Sequence, residues 1–153
     1  MGLVWSGSSS FPANHRRSIP IEALLPLADV PGISWHSLQL GEAAKQVQVL
    51  AGRMPIVDHS ADLRDFADSA ALLENLDLLI STDTAIVHLA GALGKDTWTL
   101  LWTERDFRWL LDDQKMPWYP SVRPFKQTRM GHWGDVVQVV KQELRRRAAT
   151  TAR

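Results

Sequence analysis

Leu76-Asp77-Leu78-Leu79-Ile80-Ser81-Thr82-Asp83-Thr84-Ala85-Ile86-Val87-His88-Leu89-Ala90-Gly91-Ala92-Leu93-Gly94 carries the pattern that decides the fold. Leu76 to Ile80 is apolar except for Asp77, which suits a parallel strand covered on both faces. Ser81-Thr82-Asp83-Thr84 then opens a helix through Ala85, Ile86, Val87, His88, Leu89 and Ala92, and Gly94 supplies a left-handed C-cap. A strand that runs straight into a helix is the building unit of an α/β sheet.

Outward from this unit the pattern repeats. Leu3-Val4-Trp5 reads as a first strand, followed by Ser6-Gly7-Ser8-Ser9-Ser10 and a polar loop with Asn14, His15, Arg16 and Arg17. Ser18 reads as a helix N-cap, with Pro20 in the first turn, Glu22 as an early acid and the helix running to about Ala28. Ile33–Leu38 predicts a strand, Glu42–Leu50 a helix and Ile56–Asp58 a third strand. Leu63, Phe66, Ala67, Ala70 and Leu73 fall at helical spacing and predict one buried face. Thr97–Trp102 and Val122–Phe125 complete six strands. Between them runs a long aromatic loop, Thr103–Pro120, with one helical turn expected at Phe107–Leu111. A last helix carries Trp133, Val136, Val137, Val140 and Leu144 on one face and is expected to fray at Arg145-Arg146-Arg147. The alternation predicts a doubly wound, mostly parallel Rossmann-like sheet of about six strands with helices on both faces. Residues 1–147 would form that domain, and 148–153 a flexible tail.

Composition removes several function classes. At 153 residues, 45% hydrophobic and 22% charged, the chain has the balance of a globular domain with one core. Its 17 basic and 17 acidic residues cancel, so no net field draws it to nucleic acid or anionic lipid. Without cysteine there is neither a disulfide framework nor a thiolate metal site, which suits the cytoplasm. No signal peptide and no membrane span are expected. The histidines at 15, 36, 59, 88 and 132 show no i, i+4 pair, so no metal site is expected. G-x-G-x-x-G, G-x-S-x-G and G-x-x-x-x-G-K-[ST] are absent, which leaves dinucleotide, hydrolase and P-loop readings without support.

Ligands of open parallel sheets bind outside the carboxyl ends of the strands. Two loops there suit a phosphate or diphosphate. In the first, Ser6 and Gly7 allow close backbone approach, and Arg17 or Arg16 can clamp phosphate oxygens. By itself that loop reads first as a flexible surface loop with solvated arginines. In the second, the helix opening at Ser81–Thr84 offers free N–H groups and a dipole, with hydroxyls from Thr82 and Thr84. Asp83 either caps this helix or accepts hydrogen bonds from sugar hydroxyls. His88 lies one turn beyond Thr84 on the same face; alone, it reads first as a core histidine.

Ser81 to Gly94 closely resembles the D-T-[AG]-x-x-H-L-A-[AG]-A-L-G signature of the heptosyltransferase-like glycosyltransferases. The chain is similar more narrowly to the C-terminal part of bacterial proteins that join tetratricopeptide repeats to such a domain. Gly2–Gly7, Arg17–Pro20, Trp35–Gln39, Leu63–Asp68, Arg108–Leu111 and Pro117–Ser121 extend the resemblance over residues 2–140. It implies the donor-binding half of a two-Rossmann-domain enzyme. Thr84 and Ala85 would meet the diphosphate through backbone N–H groups, with His88 close behind. Asp83 would lie near the donor sugar, and Arg17, or Arg16, would neutralise the leaving group. Ser37, Leu38 and Gln39 would border the base and ribose. It also implies metal-independent transfer without a cofactor, and an acceptor site and base supplied by an N-terminal half with its repeats; without that half, an exposed apolar cleft face would favour self-association. The departures are Lys95-Asp96, Phe107 and Lys115-Met116. The larger departure is length: beginning at the first strand of the second half reads as a split gene or a cut at a domain boundary. A non-catalytic interaction module that keeps the fold is the alternative.

Overall fold

The computed structural model describes residues 1–50, 52–104, 109 and 118–151. Six strands form one all-parallel sheet: β1 (Gly2–Val4), β2 (Trp35–Ser37), β3 (Ile56–Asp58), β4 (Leu79–Thr82), β5 (Thr97–Leu101) and β6 (Val122–Lys126). Their spatial order is β3-β2-β1-β4-β5-β6. This is the doubly wound arrangement in which strand order reverses beside the first strand. Helices α1 (Asn14–Arg17), α2 (Val47–Leu50), α3 (Phe66–Glu74), α4 (Ala85–Ala92) and α5 (Trp133–Thr151) connect or flank the strands, together with 3-10 helices at Ile21–Asp29 and Glu42–Gln46.

The two faces of the sheet carry different cores. Leu3, Trp5, Trp35, Ile80, Trp98, Leu100 and Phe125 pack against Leu24 and Leu27 of the first 3-10 helix and Val136, Val137, Val140 and Leu144 of α5. Val4, Leu38 and Leu79 pack on the opposite side with Leu73 and Ala90. Both β4 and β5 are buried at every position, including Ser81, Thr82, Thr97 and Thr99, as parallel strands covered on both faces are.

Several local expectations need correction. Ser18 does not cap the following helix. It ends α1, where its hydroxyl donates to the Asn14 carbonyl at 2.7 Å. The expected helix to Ala28 is a 3-10 helix over Ile21–Asp29, because Pro26 inside it has no N–H for an α ladder. Glu42–Leu50 is likewise split between 3-10 and α geometry. Phe66 and Ala67 are exposed on α3, whose buried positions are Ser69 and Leu73. The fourth strand starts at Leu79 and includes Ser81 and Thr82, so the helix opens at Ala85. At the other end, α5 continues through Arg145-Arg146-Arg147 to Thr151. Arg147 is anchored to Asp96 at 2.9 Å and to the Asp77 carbonyl at 3.0 Å, and Arg146 to Glu143 at 2.7 Å. These anchors hold the last turns. Of the turn expected at Phe107–Leu111, only Trp109 belongs to the described residues.

Candidate functional site

The chain leaves β1 towards β2 on one side, and β4 lies on the other, so the loops after Val4 and Thr82 flank the point where strand order reverses, the place where such sheets form a ligand crevice. Arg17 joins the two. Its Nη1 donates to the Asp83 carbonyl at 3.0 Å, and its Nε to Asn14 Oδ1 at 3.0 Å. Thr82 Oγ1 donates to the Arg17 carbonyl. Main chain and guanidinium are therefore both tied to the end of β4. The Phe11 ring lies 4.4 Å from Arg17 Cζ on one side. On the other, an added Cβ at Gly7 would meet Cζ at 2.7 Å and Asn14 Oδ1 at 2.7 Å. A side chain at position 7 would therefore displace the Arg17 guanidinium and the Asn14 amide from these seats.

Asn14 Nδ2 donates to Ser6 Oγ and to the Gly7 carbonyl, each at 3.2 Å, and Ser6 Oγ lies 2.9 Å from Ser18 Oγ. Ser6, Gly7 and Arg17, expected in the site from the sequence, are thus drawn together with Asn14.

Across the crevice, Thr84 is the N-cap of α4, with φ −144° and ψ 170° and no side-chain cap hydrogen bond. The capping role open for Asp83 is therefore not used. Asp83 is buried, at 6% exposure, and its described contact is the carbonyl bonded to Arg17. Thr84 Oγ1 lies 3.3 Å from Ser81 Oγ, and Ala85 is exposed at the first helical position. A helix start whose N–H groups are not taken by a side chain, with an arginine fixed beside it, can hold an anion by charge and by hydrogen bonds.

His88 is half-buried one turn further along α4. Its ring centroid lies 5.7 Å from those of both Trp109 and Tyr119. The helix meets these aromatics closely: a Cβ on Gly91 would come within 2.5 Å of Tyr119 Cγ.

Leu38 and Gln39, expected to border the base and ribose, are both buried. Leu38 is core, 2% exposed, beside Val4 and Leu73. Gln39 Oε1 accepts from Trp5 N at 3.0 Å and Ser6 N at 2.8 Å, while Nε2 donates to the Ser6 and Leu40 carbonyls, each at 3.0 Å. All the bonding capacity of that amide is used within the chain. Gln39 therefore holds the shape of the β1 loop, with its amide satisfied within the chain.

One pair escaped the sequence reading. His36 Nδ1 and His59 Nε2 lie 2.9 Å apart, with the rings stacked, and His59 Nδ1 is 4.0 Å from Asp62. The parallel pairing of β2 with β3, where Ser37 lies opposite Asp58, brings them together from 23 residues apart. Spacing along one element could not show it. Burial, with smaller contributions from the amino-terminal charge and His59, holds His36 below the ordinary histidine range. A base whose folded pKa is depressed stabilises the fold fully above its unfolded value, about 6.5, and loses that stability as pH falls below it. The urea midpoint is expected to drop between pH 7.5 and pH 5. The drop should be smaller in His36→Phe; an equal drop in both proteins would show that other groups cause it.

Among the described residues, no group of three or more His, Cys, Asp or Glu could hold a metal ion, and no helix is long and apolar enough to cross a membrane. No family model matches the chain. It is similar to Protein FlbA of Caulobacter vibrioides, with 29% identity over 161 aligned positions covering 98% of this chain, and it spans 26% of that protein's length.

Proposed function

We propose that the chain binds the diphosphate of a nucleotide-sugar donor in the crevice between the β1 and β4 loops, as the donor domain of a glycosyltransferase. The observation that carries this reading is Arg17, reaching from the end of α1 to the Asp83 carbonyl, two residues before α4. That bond sets a permanent cation beside a helix start free of side-chain capping. Together they supply the charge complement that a departing nucleoside diphosphate needs. Asp83, buried at the same end of β4, is the acceptor assigned to donor-sugar hydroxyls. Acceptor binding and the general base belong, in this reading, to another region of a longer protein.

Calorimetric titration with ADP, UDP, GDP and their sugar conjugates tests this, each repeated with the monophosphate and with EDTA present. One diphosphate is expected to bind more tightly than its monophosphate, with the chelator making no difference. At a hundredfold excess over Kd it should stabilise the fold by about 2.7 kcal/mol and raise the melting temperature by roughly 5–11 °C. Absence of binding by every nucleotide at millimolar concentration would overturn the reading.

The second reading is an interaction module without transfer chemistry. It draws on the inward-facing Leu38 and Gln39, and on Phe66 and Trp118, which are 64% and 59% exposed. It predicts concentration-dependent self-association in sedimentation without nucleotide binding.

A further inference from the structure

Two glutamines sit at the carboxyl end of this sheet in opposite circumstances. Gln39 makes four hydrogen bonds within the chain. Gln127 is 5% exposed, yet neither its Nε2 nor its Oε1 has a partner. Thr103 Oγ1, two residues beyond β5, is also buried without one. Buried polar atoms are nearly always satisfied, so an amide orphaned at both ends calls for a group that completes it.

The sheet places these residues beside the crevice. Thr82 is level with Leu100, and Leu101 with Lys126. Gln127 N donates to the Leu101 carbonyl at 2.8 Å. Extrapolated two residues past Thr82–Leu100 and one past Leu101–Lys126, the register puts Thr84, Trp102 and Gln127 just beyond the ends of three adjacent strands. Two strand spacings, about 10 Å, then separate Gln127 from the start of α4. A monosaccharide linked to a diphosphate at that helix start spans such a distance. Glu104, next to Thr103, is paired with Arg16 at 3.0 Å, which ties this loop to the helix that carries Arg17.

The chemistry narrows the ligand. A carboxamide presents a donor and an acceptor in one plane, and a threonine hydroxyl can do either. Neighbouring sugar hydroxyls present the same pair in return. We propose that Gln127 and Thr103 form a subsite for hydroxyl groups of the transferred sugar; this rests on the donor-binding reading above.

The test is the ratio of affinities for a sugar conjugate and its bare diphosphate, measured with the nucleotide that wild-type protein binds best. Wild type is expected to prefer the conjugate. Gln127→Leu should abolish at least tenfold of that preference and leave the affinity for the bare diphosphate within about twofold. It should also raise the melting temperature of the unliganded protein by about 2–4 °C, since an orphaned amide is removed, and this reports that the variant folds. Thr103→Val is expected to act in the same direction with a smaller loss. If wild type binds no diphosphate, the donor reading fails and the subsite with it. If wild type binds the diphosphate and conjugate equally, or Gln127→Leu keeps the preference, the subsite is overturned while donor binding stands. A gain in melting temperature with the preference intact would assign Gln127 to an enclosed water.

Discussion

Gly91→Ala is expected to destabilise the protein by about 2 kcal/mol, a fall of roughly 4–8 °C in melting temperature, although alanine is the better helix former. In an exposed helix the change would gain about 1 kcal/mol. Here the new Cβ would meet Tyr119 Cγ at 2.5 Å, Cδ1 at 2.8 Å and Cβ at 2.9 Å. Turning the ring does not relieve this, because Tyr119 Cβ moves only with its backbone. That backbone is fixed in turn by the hydrogen bond from Val122 N to the Tyr119 carbonyl at the start of β6. The remaining outlet is to push α4 off the sheet, which would loosen Val87 from Leu101 and Trp109 and disturb the setting of His88. Thermal melts of Gly91→Ala, Tyr119→Ala and the double variant check the cause. In the Tyr119→Ala background the alanine should be neutral or stabilising. A further loss there would mean that the clash is elsewhere.

What the sequence made legible follows the length of each physical signal. The run Leu76–Ile80 followed by the apolar helix to Ala92 is local, and it gives the strand–helix order and the left-handed Gly94, at φ +70°, while the junction falls later, with β4 over Leu79–Thr82 and α4 from Ala85. The stripe of Trp133, Val136, Val137, Val140 and Leu144 is equally local and is buried throughout. Helix type was less legible. Pro26 turned an apparently amphipathic segment into a 3-10 helix. The end of α5 was misjudged because its stabilising partners, Asp96 and the Asp77 carbonyl, are 51 and 70 residues away.

The same distinction governs the site. Ser6, Gly7 and Arg17 could be picked out by residue type near one loop, and the structure joins them through Asn14. Gln39 could not be judged that way. Its residue type suggests a ligand contact, but its burial and four bonds depend on where β2 lies beside β1. The pairing of His36 with His59 and the orphaned amide of Gln127 are also products of strand order.

The coupling of Gly7 with Arg17 offers the sharpest test of the crevice. Gly7 is not among the residues with positive φ, so alanine there faces no backbone penalty; only space opposes it. Its Cβ would fall 2.7 Å from both Arg17 Cζ and Asn14 Oδ1, so the guanidinium must leave its seat below Phe11 and give up the Asp83 carbonyl. Charge-assisted hydrogen bonds contribute about 1.5–3 kcal/mol, so Gly7→Ala should weaken binding of a nucleoside diphosphate by roughly 10–100-fold without deleting any group that touches it. Arg17→Ala should weaken it by a similar factor. The double variant should be little worse than either single one, within about threefold, because both remove the same interaction. Losses that multiply would show that Gly7 serves the ligand directly, through close backbone approach, and that seating Arg17 is not its main role. Unchanged affinity in Arg17→Ala would remove the arginine from the site and leave the helix start of α4 as the remaining anion-binding element.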